Sequence, residues 1–136
     1  MTRSRAWILV SSLCLLLFGH AAHAQFGDLA KTTPAQRAAA QTDFMKSKLS
    51  LSEAQLAKVA ALNLEYARKF DPILKGSDGR FSKIRQVRAL EAEKEAQLKG
   101  LISAEQFKTF EASRSEMRKQ VGARIKKEVE AAASSS

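Results

Sequence analysis

One short phrase occurs twice in this chain, and it is a phrase that starts helices. Leu51-Ser52-Glu53-Ala54-Gln55-Leu56 returns 51 residues later as Ile102-Ser103-Ala104-Glu105-Gln106-Phe107. In each copy a Ser stands as N-cap and a Gln three positions on can reach back to the cap's own N–H, which is the grammar of a capping box. An apolar residue on either side then forms a staple, Leu51 to Leu56 and Ile102 to Phe107. The roles of Leu51, Ser52, Gln55, Leu56, Ile102, Ser103, Gln106 and Phe107 are therefore structural. Two helix starts at this spacing leave little room for anything but helices.

Residues 1–24 have the organisation of a secretory signal peptide. Arg3 and Arg5 make a positive n-region, Ile8 to Phe18 an apolar stretch of 11 residues, and Ala22-His23-Ala24 a small-x-small site, so cleavage is expected after Ala24. A membrane anchor needs about 20 apolar residues, and lipidation at Cys14 would want a small residue where Leu13 stands.

Cleavage empties the chemical inventory. Trp7, Cys14, His20 and His23 leave with the leader, so residues 25–136 contain no Cys, His or Trp. With Arg3 and Arg5 gone, 21 basic residues face 14 acidic ones, a net charge of +7 on 112 residues, which suits one small domain. No disulfide can form, so packing alone must stabilise it. Cys–His and Ser–His–Asp catalysis need residues that are missing. Zinc and copper sites favour Cys and His, and only carboxylates, Met45 and Met117 remain. Glu91, Glu93 and Glu95 alternate with Ala92, Lys94 and Ala96 and read as a solvated helical face rather than a catalytic pair. Gly76 and Gly79 flank Ser77-Asp78, which is turn chemistry and not a phosphate loop. No enzyme, cofactor or metal site is expected.

The mature chain reads as four helices. Residues 25–40 form a flexible or partly helical N-terminal segment, 41–130 a single helical domain, and 131–136 a disordered Ala-Ser tail. Thr33-Pro34 suits an N-cap and first helical position, opening an Ala-rich helix from about 34 to 48. Only Phe44, Met45 and Leu49 offer it bulk, so a short or peripheral element is expected. The second helix, from Ser52, presents Leu56, Val59, Leu62 or Asn63, Tyr66 and Phe70 at 3–4 spacing. Asp71-Pro72 predicts a kink or an end, with Ile73 and Leu74 available for one more turn. The third helix runs from about 81 to Lys99, with Gly100 closing it and Ile84, Val87, Leu90 and Leu98 inside. The fourth starts at Ser103, carries Phe107, Phe110, Met117, Val121 and Ile125 with Arg114 interrupting, and reaches about Val129. Strand signals are absent, and the fold class is all-α. Narrow stripes make a poor closed core in so small a chain, so a flat, extended helical layer completed by a second copy, a homodimer, is expected.

The doubled phrase, in a small exported helical protein, resembles the twin LTxxQ motifs of the Spy/CpxP family over roughly Phe44 to Lys119. Ser replaces the family's Thr in both copies, and Ile102 replaces Leu in the second. The resemblance implies a periplasmic stress protein with long, hooked helices pairing antiparallel into a cradle-shaped dimer. It implies an ATP-independent chaperone holding unfolded or misfolded envelope proteins on a basic and apolar face, or else an accessory regulator of an envelope-stress sensor kinase. Metal-associated relatives carry His- and Met-rich ends that this chain lacks.

Charge patterning points to Arg85 and Arg88 on the third helix and Arg114 and Arg118 on the fourth as candidate client contacts. Weak apolar contact combined with long-range attraction for acidic segments suits reversible holding. Nucleic-acid binding is disfavoured by export and by the lack of aromatics among the basic residues. Stable membrane insertion is disfavoured because no strongly apolar face adjoins the basic ones.

Overall fold

The computed structural model describes residues 27–135, and every regular element among them is helical. The leader assigned to 1–24 lies outside the described residues. After a helical turn at 27–30 come α1 (Pro34–Leu49), α2 (Glu53–Lys75), α3 (Arg80–Lys99) and α4 (Ala104–Ser134).

The helix starts follow from local chemistry. Ser52 Oγ accepts from the Gln55 N–H at 3.2 Å while the Ser52 N–H donates to Gln55 Oε1 at 3.1 Å. Ser103 and Gln106 repeat this at 3.1 and 2.9 Å. The capping box also occurs a third time, without the apolar staple: Thr33 and Gln36 close it at the head of α1, with Pro34 next to the cap. Two of the orphan N–H groups at each of these helix starts are satisfied in this way. The α1 helix stops where Ser50 turns into the left-handed region at φ 49°, and the chain is ready to cap α2 two residues later.

Two expectations change and one left open is decided. Helix α1 is neither short nor peripheral: it lies between α2 and α4 and packs on both. Its alanines are the reason, since Ala38 and Ala40 are almost fully buried and let the helix sit deep, while Phe44, Met45 and Leu49 fill the core. Of the alternatives left open at Asp71-Pro72, the end is not taken: helix α2 runs through Pro72 to Lys75, with Ile73 and Leu74 in the further turn. Helix α4 continues beyond Val129 to Ser134, so helical geometry covers 131–134, which the sequence assigns to a tail.

A buried arginine ties the N-terminal segment down. The Arg37 guanidinium donates to the carbonyls of Leu29 (2.9 Å), Thr32 (2.5 Å) and Ala67 (3.2 Å) and to Asp71 Oδ1 (2.6 Å). One side chain thus joins the 27–32 turn, α1 and the proline-containing end of α2.

The core comprises Phe44, Met45 and Leu49 of α1, Val59, Leu62 and Tyr66 of α2, Leu98 of α3, Ile102 before α4, and Phe107 and Phe110 of α4. Helix α3 contributes only one fully buried residue, Leu98, and its Ile84, Val87 and Leu90 are half-buried. It is carried on α2, and it meets α4 only thinly.

Candidate functional site

Two polar features stand out in this helical frame: a knot of glutamines at the helix starts and a cleft where α3 and α4 part.

The knot joins the two copies of the repeated phrase. Gln55 Nε2 donates to Gln106 Oε1 at 2.8 Å, and Gln106 Nε2 donates to Gln55 Oε1 at 3.0 Å. Gln106 Nε2 also reaches the Leu49 carbonyl at 3.1 Å, near the end of α1. Each amide oxygen therefore closes its own capping box and also bonds the other glutamine. Ile102 and Phe107 are buried beside the knot's second copy, whereas Leu51 and Leu56 are half-buried. All eight motif residues sit at helix heads, where they organise the scaffold.

The cleft encloses about 320 Å³ between α3 and α4, over α1 and α2. Met45, Phe70, Val87, Leu98, Met117 and Val121 supply apolar wall. The cations Lys94, Arg114 and Arg118 line it together with the carboxylates of Glu91 and Glu95. Arg114 lies 5.4 Å from the Phe110 ring centre and pairs with Glu95 at 2.6 Å across the gap between α4 and α3. Arg118 is exposed.

Lys94 is the least comfortable group here. Its Nζ donates to Gln41 Oε1 of α1 at 2.6 Å. Burial pushes the amine down to about 8, although Glu91 and Glu95 on its own helix pull the other way.

The four candidate arginines separate. Arg114 and Arg118 line the cleft, while Arg85 and Arg88 are exposed on α3 and are not part of its lining. Lys94 escaped notice in the sequence because it sits among alternating glutamates. Its signal was positional: Leu90, Lys94 and Leu98 are spaced by four, so Lys94 occupies an inner-stripe position of α3, as Arg114 does on α4. Gly122, another lining residue, is legible only as a glycine inside a helical run.

On the far side of α3, Tyr66 is fully buried and accepts from Gln97 Nε2 at 2.8 Å. Lys69 sits 4.3 Å from the Tyr66 ring centre and pairs with Glu65 and Glu93. This cluster holds α3 to α2. Among the described residues no group of three or more His, Cys, Asp or Glu side chains gathers to hold a metal ion, and no helix is long and apolar enough to cross a membrane.

A family model described as "Domain of unknown function (DUF4890)" matches residues 22–132. No curated protein and no solved structure matches the chain.

Proposed function

We propose that this chain, which belongs to the DUF4890 family, is an exported, ATP-independent chaperone of the kind implied by its resemblance to Spy/CpxP proteins. The observation that carries the reading is the α3–α4 cleft, whose apolar walls are rimmed by Arg114 and Arg118 on a chain of net positive charge. Unfolding polypeptides present apolar segments, and an apolar surface edged with cations holds those that also carry acidic residues. Few aromatics and no deep, closed pocket keep such contacts weak and reversible. The α3 helix, half-buried along most of its inner stripe, leaves apolar surface for a second copy, and a homodimer would cover it. The periplasm is the proposed location and envelope stress the proposed setting.

The test is aggregation suppression by residues 25–136, without nucleotide, against several unrelated unfolding clients, with particle size measured in the same sample. Suppression by a dimer, weaker at high salt and weaker for the charge-removing double substitution Arg114→Gln and Arg118→Gln, is expected. No suppression at several-fold molar excess over any client overturns the reading. Saturable binding to a single folded sensor domain without general suppression would replace it with the regulatory role.

A further inference from the structure

The cleft holds a cation with no carboxylate in ion-pair contact. Lys94 places its ammonium in an apolar-walled space, and its hydrogen-bond partner there is the neutral amide oxygen of Gln41. Among the described residues no carboxylate lies within ion-pair distance of it. Of the charged groups that share the cleft, Glu95 is committed to Arg114, Glu91 is exposed, and Arg114 and Arg118 across on α4 are themselves cations. Withdrawing an ammonium from water is unfavourable; here that cost outweighs the pull of Glu91 and Glu95, which do not reach the amine as ion pairs, and its pKa falls to about 8. A second, independent observation concerns Gly122. A glycine inside a helix costs up to about 1 kcal/mol relative to alanine, and this one, within α4, is among the residues that line the cleft.

We propose that the cleft binds a monomeric amphipathic carboxylate, an unbranched acyl chain whose head group pairs with Lys94 and whose tail lies against Met45, Phe70, Leu98 and Val121. The volume, about 320 Å³, is at the small end of ligand pockets, roughly 300–1,000 Å³, which suits one chain of moderate length and not a two-chain lipid. The carboxylate supplies the missing counter-charge, and Arg118 at the cleft adds to the attraction. Binding therefore strengthens the hold of Lys94 on its proton, so near pH 8 the complex takes up to about half a proton per site from the buffer. This inference does not rest on the chaperone reading, since it is measured without any client.

The experiment is calorimetric titration of residues 25–136 with decanoate below its micelle concentration. It is run at pH 8 in two buffers of different ionisation heat, with decanol as the uncharged control. One saturable site per chain, proton uptake, and binding roughly tenfold tighter than decanol are expected, the margin of one charge-assisted hydrogen bond. Lys94→Met should abolish the uptake and lose about the same factor, and Gly122→Leu should block binding while circular dichroism shows the helices intact. Equal affinity for decanol, absence of proton uptake, or undiminished binding by Gly122→Leu overturns the proposal. Should either substitution fail to fold, NMR titration of the Lys94 side chain in the unsubstituted chain decides: its pKa must rise when decanoate saturates the protein, and an unchanged value refutes the site.

Discussion

Gln55 and Gln106 each do two jobs with one amide. The oxygen accepts from the N–H of its own cap residue and from the other glutamine, so two helix starts and a tertiary contact share atoms. Such sharing couples the residues energetically. In a double-mutant cycle, Gln55→Ala and Gln106→Ala should each destabilise, with an interaction energy of about 0.5–1.5 kcal/mol. Chemical denaturation measures it, and strictly additive losses would show that the amides do not bond each other. The caps were legible in the sequence because Ser52 and Gln55, or Ser103 and Gln106, are three residues apart and need no fold to find each other. The same rule reads Thr33 and Gln36. The pairing between Gln55 and Gln106 was not legible, because nothing local says that two helix heads 51 residues apart will meet.

At the scale of elements, the proline in α2 shows how a tertiary contact rescues a local fault. Pro72 donates no hydrogen bond and crowds the preceding turn, and the residues alone predict a kink or an end there, with Ile73 and Leu74 available for one more turn. Helical geometry nevertheless continues to Lys75, and the carboxylate just before the proline is held from two sides, by Lys75 at 2.8 Å and by Arg37 at 2.6 Å. Lys75 and then Arg37 hold the pKa of the Asp71 carboxyl below its ordinary value. A carboxylate whose pKa is lowered by folding stabilises the fold above its unfolded pKa, near 4, and that stabilisation is lost as pH falls through the lowered folded value. Arg37→Met should therefore destabilise by about 2–3 kcal/mol and flatten part of the acid limb of the stability curve below about pH 5. Thermal unfolding across that range checks it; an unchanged acid limb would mean that Lys75 alone sets the Asp71 acidity.

The whole molecule is a compromise between a core and a cleft. Helices α1, α2 and α4 supply most of the buried apolar residues, while α3 is fastened at Leu98 and through the Tyr66, Lys69, Glu93 and Gln97 cluster. The gap this leaves contains Lys94, whose folded-state pKa of about 8 lies below that of an unfolded lysine. Between those values the unfolded chain binds more protons, so the contribution of Lys94 makes stability rise with pH from about 8 towards 10. Folding raises the pKa values of Tyr66 and Lys69, so these groups oppose the trend only above about pH 10. Lys94→Met should remove the rise. It should also stabilise the protein at neutral pH by about 1–2 kcal/mol, a tenfold change in acidity being worth about 1.4 kcal/mol and solvent at the cleft mouth screening part of it. Unfolding by denaturant at pH 7 and 9 measures both effects, and a substituted chain less stable at pH 7 would contradict them.

The sequence by itself determined that the described chain is helical, where α2 and α4 begin, and most of the residues that face inward. Those properties depend on neighbours within about one turn, where capping geometry and 3–4 spacing act without knowledge of the rest. The tertiary structure alone decided that the alanine-rich α1 packs between α2 and α4, because small side chains count for little locally but permit deep packing between two partners. It also decided that Arg114 and Arg118 share a cleft with Lys94 while Arg85 and Arg88 do not. Which stripe faces which helix is set by the packing of all four, and no stretch of the chain contains that information on its own.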